Sequence, residues 1–268
     1  NEMEKDRMRR IARCLTGRHT YAEICWYLAF QAVIFWGLVL GARLGYPAGS
    51  RFSVNTSMLS ELGSFDANPR WFWLFTIAMT FIGMSLMPVA LYIHRRLRGI
   101  SGMGAWLGTM FLFIGCLGMC IAGLFPFSRS PLTGGWEWQH FHLIGAGMIA
   151  SGCFLGISMY GALLLKDKYS RKRFATGETS SYWKFAGPFL LYAFVTGTVL
   201  YHVHWISVVA ALQSALTFSG NAVIQHLHAA IVRFASLPVI EHLAIWALTI
   251  IIIWFTILLP RQASREKA

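Results

Sequence analysis

Acidic side chains are scarce in this chain: 11 Asp and Glu stand against 23 Lys and Arg among 268 residues, and charged residues of both signs make up only 13%. So little charge excludes an ordinary soluble domain, in which about a quarter of the residues are charged. Cysteine is sparse too. Cys14, Cys25, Cys116, Cys120 and Cys153 are too scattered for a disulfide framework. Cys116 and Cys120 share a helix face beside Met119, a pattern open to a soft copper-like site, although small apolar packing is the simpler role. Gly-x-Ser-x-Gly elbows, zinc-peptidase motifs and haem-attachment motifs are all missing. A basic stripe or recognition motif is missing as well, so the net charge of +12 does not indicate a nucleic-acid partner.

Apolar length is what the chain has. Hydrophobic residues make up 56% of it and run in stretches near the roughly 20 residues that cross a bilayer. The pattern predicts an all-α fold, a six-transmembrane helix bundle with helices near 21–44, 71–93, 103–125, 138–165, 184–205 and 238–259. An additional outer interfacial amphipathic helix is expected over 221–233. On this reading residues 1–20 form a cytoplasmic basic segment, 21–259 the membrane domain with outer loops 45–70 and 206–237, and 260–268 a cytoplasmic tail. Pro88 and Pro188 fall inside the second and fifth helices, where each is a candidate kink. Gly104 with Gly108, Gly147 with Ser151, and Gly152 with Gly156 predict close helix packing.

Eighteen Lys and Arg lie on one side of these helices and five, Arg43, Arg51, Arg70, Arg129 and Arg233, on the other. The bias predicts cytoplasmic termini in a prokaryotic inner membrane, with membrane lipids as partners and anionic headgroups meeting the basic residues. The first helix is expected to serve as its own targeting signal, with no cleavable peptide. His94, between Tyr92 and Arg95, reads as part of the cytoplasmic boundary, and His19 as a solvent-exposed tail residue.

Seven of the nine histidines gather at the opposite level: His140, His142, His202, His204, His226, His228 and His242. Glu61, Asp66, Glu137 and Glu241 share it. Within each His-x-His pair the side chains diverge by about 200° on a helix, so one from each pair is the stronger ligand. His142, His202 and His242 with one water would compose a catalytic zinc site. Zinc would activate that water, and Glu61, Asp66 or Glu137 would manage protons. Ser60, Arg70, Arg129, His226 and Arg233 are the expected substrate-binding groups for a lipid or amphipathic molecule. The pattern thus predicts a metal-dependent membrane-embedded hydrolase working at the outer face.

A second class competes with it. His140 or His142 facing His202 or His204 would ligate a b-type haem, giving an electron-transfer protein with a quinone ligand. A structural or assembly subunit is the third possibility, in which Trp136, Trp138, Tyr201, Trp205 and Trp246 form an interfacial belt and the histidines meet headgroups.

Ser60-Glu61-Leu62-Gly63, followed by Asn68-Pro69 and an aromatic-rich span, resembles the loop before the second helix in a family of uncharacterised multi-pass prokaryotic membrane proteins, distantly similar to the Frag1/DRAM/Sfk1 group. The resemblance covers roughly residues 21–165 and implies a six-helix membrane architecture without an assured activity. The dense histidines from His202 to His242 depart from that group's pattern.

Overall fold

The computed structural model describes residues 2–47, 52–54, 57–128, 130, 131, 137–170, 197 and 237–263. Among them the fold is helical: α1 (Glu2–Leu15), α2 (Tyr21–Leu44), a 3-10 turn (Leu59–Gly63), α3 (Phe72–Leu97), α4 (Gly102–Leu124), α5 (Trp138–Ser170) and α6 (Leu237–Ala263). Pro131 and Glu137 form one isolated bridge, and no strand occurs among the described residues. The helices α2, α3, α4 and α5 are long and apolar enough to cross a membrane, while α6 carries a shorter apolar stretch, Glu241–Ile257. The chain is an integral membrane protein. Apart from Gly197, the predicted helix at 184–205 lies outside the described residues, as does the amphipathic helix at 221–233.

The first span was legible to the residue. Thr20 starts it: its hydroxyl accepts the Glu23 amide at 3.3 Å, and the Glu23 carboxylate accepts the Thr20 amide at 2.7 Å, a reciprocal cap. α3 runs on past the expected stop near residue 93, because His94, Arg95 and Arg96 in its last turn face the negative end of the helix dipole. Pro88 is accommodated inside that helix.

Helix α4 is the hub, lying along α3 on one side and α5 on the other, while α2 packs on α3 and α6 reaches α2 and α3. Glycines set the α4–α5 separation. A Cβ on Gly118 would stand 2.6 Å from the Gly145 carbonyl oxygen, and one on Gly152 would strike the Gly115 nitrogen and the Phe111 carbonyl oxygen. Gly108 and Gly156 belong to the same seam, facing Tyr160 and Leu112. Gly147 and Ser151, also expected to pack closely, are exposed and do not meet α4, and among the described residues a Cβ on Gly147 would meet nothing within 4 Å. Spacing marked the small residues, but the rotation of α5 decided which ones meet α4.

Large apolar side chains remain on the outside of the bundle, among them Trp26, Val33, Ile77, Met84, Leu117 and Ile144. In water such a surface would drive association, whereas lipid solvates it. At the end carrying Tyr21, Leu97 and Gly102, here the basic end, His19 is not the exposed tail residue that its position suggested. It is half-buried and stacked on Tyr27 at 5.2 Å, and desolvation lowers its pKa, with Glu23 opposing. Gly17, at φ 66°, turns α1 against α3, where any Cβ would collide with the Tyr92 nitrogen at 2.5 Å. His94 is likewise more than a boundary marker. Its Nδ1 lies 3.1 Å from Thr109 Oγ1, which is 2.7 Å from the Tyr160 hydroxyl, linking α3, α4 and α5.

The glycine seam makes a direct prediction. Gly152→Ala is expected to destabilise the detergent-solubilised protein by about 1–3 kcal/mol, since backbone atoms cannot move aside as a side chain would. Gly147→Ala should be neutral, or stabilising by up to about 1 kcal/mol through helix propensity. Thermal unfolding of the two variants side by side checks the contrast.

Candidate functional site

The opposite end of the bundle, carrying Leu44, Phe72, Leu124 and Trp138, is organised around the short turn Leu59–Gly63. The Glu241 carboxylate, from the first turns of α6, accepts the Leu59 amide at 2.8 Å and the Ser60 amide at 3.3 Å. It fills the place of a side-chain cap, since Met58 at the N-cap position supplies none. Asn68 closes the other side: its buried amide donates to the Ala42 carbonyl at 3.1 Å and the Leu62 carbonyl at 3.0 Å. Three segments distant in sequence thus converge on one loop.

The entry to α5 is built in the same way. The Ser128 and Ser130 carbonyls accept the Gln139 and Trp138 amides at 2.9 and 3.4 Å, and Ser128 Oγ donates to Asp66 at 2.9 Å. Trp138 packs between Phe65 and Phe125, with ring centroids 5.7 and 5.8 Å away, and so forms part of this joint. Trp246 stacks on Trp36 at 4.1 Å and ties α6 to α2.

His140 and His142 part company here. His140 Nδ1 accepts the Glu137 amide at 3.0 Å, and that lone pair serves the start of the helix. His142 is buried, and its Nδ1 lies 2.9 Å from the Ala122 carbonyl oxygen and 3.0 Å from that of Phe125. Carbonyls only accept, so this nitrogen carries the proton and Nε2 keeps the lone pair. The same logic holds for His242, whose Nδ1 lies 2.7 Å from the Pro238 carbonyl and whose buried Nε2 has no hydrogen-bond partner among the described residues. An imidazole held by a carbonyl at one nitrogen and open at the other is the usual state of a metal-ligating histidine.

A cavity of about 390 Å³ opens between α3, α5, α6 and the turn. Its polar lining comes from Ser60, Gln139, His140, His142 and Glu241, and the rest is apolar, including Met58, Phe75 and Phe127. The structure therefore brings Ser60, His140 and His142 together as the sequence suggested, and adds Gln139 and Glu241. The three expected proton carriers do not line it. Glu61 accepts from the Tyr46 hydroxyl at 3.5 Å, Asp66 holds Ser128, and Glu137 accepts from the Gln139 amide. Burial, followed by the charge of Glu61, raises the Tyr46 pKa. Arg70 is exposed, its carbonyl accepting from the Trp73 indole at 3.1 Å, and neither it nor His242 lines the cavity. His202, His204, His226, Arg129 and Arg233 lie outside the described residues.

Among the described residues no group of three or more His, Cys, Asp or Glu side chains converges on a metal position. Cys116 and Cys120 are packed in the bundle, the latter with its thiol 3.8 Å from the Thr80 carbonyl oxygen, and they join no such group. No protein-family model, curated protein or solved structure matches the chain.

Glu241 is expected to matter first for structure. Glu241→Ala should cost about 2 kcal/mol by leaving two amides without an acceptor, and Glu241→Gln less, because its carbonyl still accepts. Faster hydrogen exchange at Leu59 and Ser60, together with a lower unfolding temperature, is the expected readout.

Proposed function

We propose that this protein is a metal-dependent hydrolase embedded in the membrane, acting on a lipid or amphipathic substrate at the outer face. In this reading the bundle has six spans, as the resemblance to the Frag1/DRAM/Sfk1 group also implies, and an interfacial helix over 221–233. It lies in a prokaryotic inner membrane with both termini cytoplasmic, so the end bearing the cavity faces outward. The observation that carries the proposal is the His142 imidazole, oriented by two carbonyls and placed in the wall of a largely apolar cavity. Apolar walls with a few convergent polar groups suit a molecule with a hydrocarbon body and a polar head.

His142 Nε2 would supply one ligand and His202 a second, while His242, set beside Phe52 and outside the cavity wall, drops out of the expected set. Zinc held there would provide an activated water and polarise a carbonyl or phosphoryl oxygen. Among the described residues Glu241 is the one carboxylate in the cavity wall. It would serve the proton-handling role expected of Glu61, Asp66 and Glu137, since the Leu59 and Ser60 amides and the Ser60 hydroxyl take three of its acceptor positions and one remains for a water. Hydrolysis would join the water oxygen to the carbonyl carbon or phosphorus and break that atom's bond to the leaving alcohol or amine, with Glu241 passing a proton from the water to the leaving group. Gln139 and Ser60 are positioned to hydrogen-bond the head, and Arg70, Arg129, His226 and Arg233 belong to its approach.

Haem ligation has one observation in its favour, since the same oriented His142 would serve as an axial ligand. Metal analysis of the purified protein, combined with its oxidised and reduced absorption spectra, separates the readings. About one zinc per chain is expected, lost in His142→Ala and retained in His140→Ala, whose Nδ1 is committed to the Glu137 amide. A reducible Soret band would replace hydrolysis with electron transfer, and neither zinc nor haem would overturn both.

A further inference from the structure

The cavity at His142 does not end among the polar groups. Met79, Ile149, Ile245 and Leu248 line it and also line a second cavity, of about 80 Å³, that extends between α2, α3 and α6. Leu86 and Ile252 continue from there to a third, small space beside Tyr160. The shared residues make these spaces one apolar series running along the helices, which is the shape of an extended hydrocarbon chain.

Gln31 interrupts the apolar wall of the second cavity. It is 2% exposed, and its amide oxygen has no hydrogen-bond partner among the described residues. The amide nitrogen has the Tyr27 oxygen within reach one turn earlier, and the Tyr27 hydroxyl itself donates to the Ser85 carbonyl at 3.0 Å. The Gln31 carbonyl oxygen is therefore left without a donor. The other polar residue in this wall, Thr249, donates to the Ile245 carbonyl at 2.8 Å and is satisfied. Gln31 lies roughly 20 Å of helix from Leu44 at 1.5 Å per residue, near mid-span. An unpaired amide carbonyl at that depth costs on the order of 1–3 kcal/mol, a penalty that a ligand's donor would remove.

We infer that the substrate is a long-chain amphiphile carrying a hydrogen-bonding group within its chain, and that Gln31 binds this group while the head lies at His142 and Glu241. The inference rests on the cavity being the substrate site. It adds a second polar contact that selects a mid-chain hydroxyl or amide over a plain alkyl chain.

The test uses the full chain in mild detergent with two neutral probes, stearyl alcohol and its mid-chain hydroxylated counterpart, each competing against radiolabelled stearyl alcohol. The hydroxylated alcohol should bind about 3- to 10-fold more tightly, the value of one hydrogen bond. Gln31→Leu should abolish the preference without weakening stearyl alcohol, and His142→Ala should weaken both alike. Binding of stearyl alcohol with no preference, or a preference that survives Gln31→Leu, would overturn the role of Gln31 and leave the cavity reading standing. Binding of neither probe would overturn both. Stability gives an independent check: Gln31→Leu should unfold at the wild-type temperature or above, whereas a clear drop would mean that the amide serves the fold and would sink the inference.

Discussion

The carboxylate of Glu241 is the contact on which the site end depends. A short turn at the edge of an apolar bundle has amides that neither water nor its own first residues satisfy, and an unsatisfied amide is costly in such a setting. Glu241 meets two of them from the last described helix, across an interval of 182 residues to Leu59. This contact seats Ser60 in the cavity wall and sets α6 against α3 and the turn. Asn68 and Ser128 extend the same solution, each converting an orphaned backbone or side-chain group into a tie between segments.

Packing in the middle of the bundle works by a different principle. Lipid tails are as apolar as leucine, so helices gain little by hiding apolar surface and associate through close fit. The glycines along α4 and α5 bring the backbones together, and polar links such as His94–Thr109–Tyr160 pin the basic end. Helix α2 lies outside this tight pair and meets α6 through the Trp36–Trp246 stack, leaving the space that Gln31 faces.

The histidines illustrate how the same residue type divides its labour. His140 gives its lone pair to a backbone amide, His142 gives its proton to backbone carbonyls, and His19 and His94 are absorbed into contacts at the basic end. Clustering along the sequence made His140 and His142 look alike. Only the partner at Nδ1 distinguishes a helix-start acceptor from an imidazole with a free Nε2.

Hydropathy by itself determined the membrane class and placed α2 to α5 within a few residues, because about 20 apolar residues in a row have few other uses. It also drew attention to Ser60, His140 and His142, since polar groups near the ends of apolar spans stand out against their surroundings. Glu241 and Gln31 were equally visible as letters, but their roles depend on which backbone groups and cavities face them. Glu61, Asp66 and Glu137 shared a membrane level with the histidines and turned out to bind Tyr46, Ser128 and Gln139 instead. Sequence period places a residue at a depth and on a face, whereas the rotation of each helix and the path of the loops decide its neighbour. Those are set by glycine contacts and buried hydrogen bonds between distant segments, and the tertiary structure alone decided them.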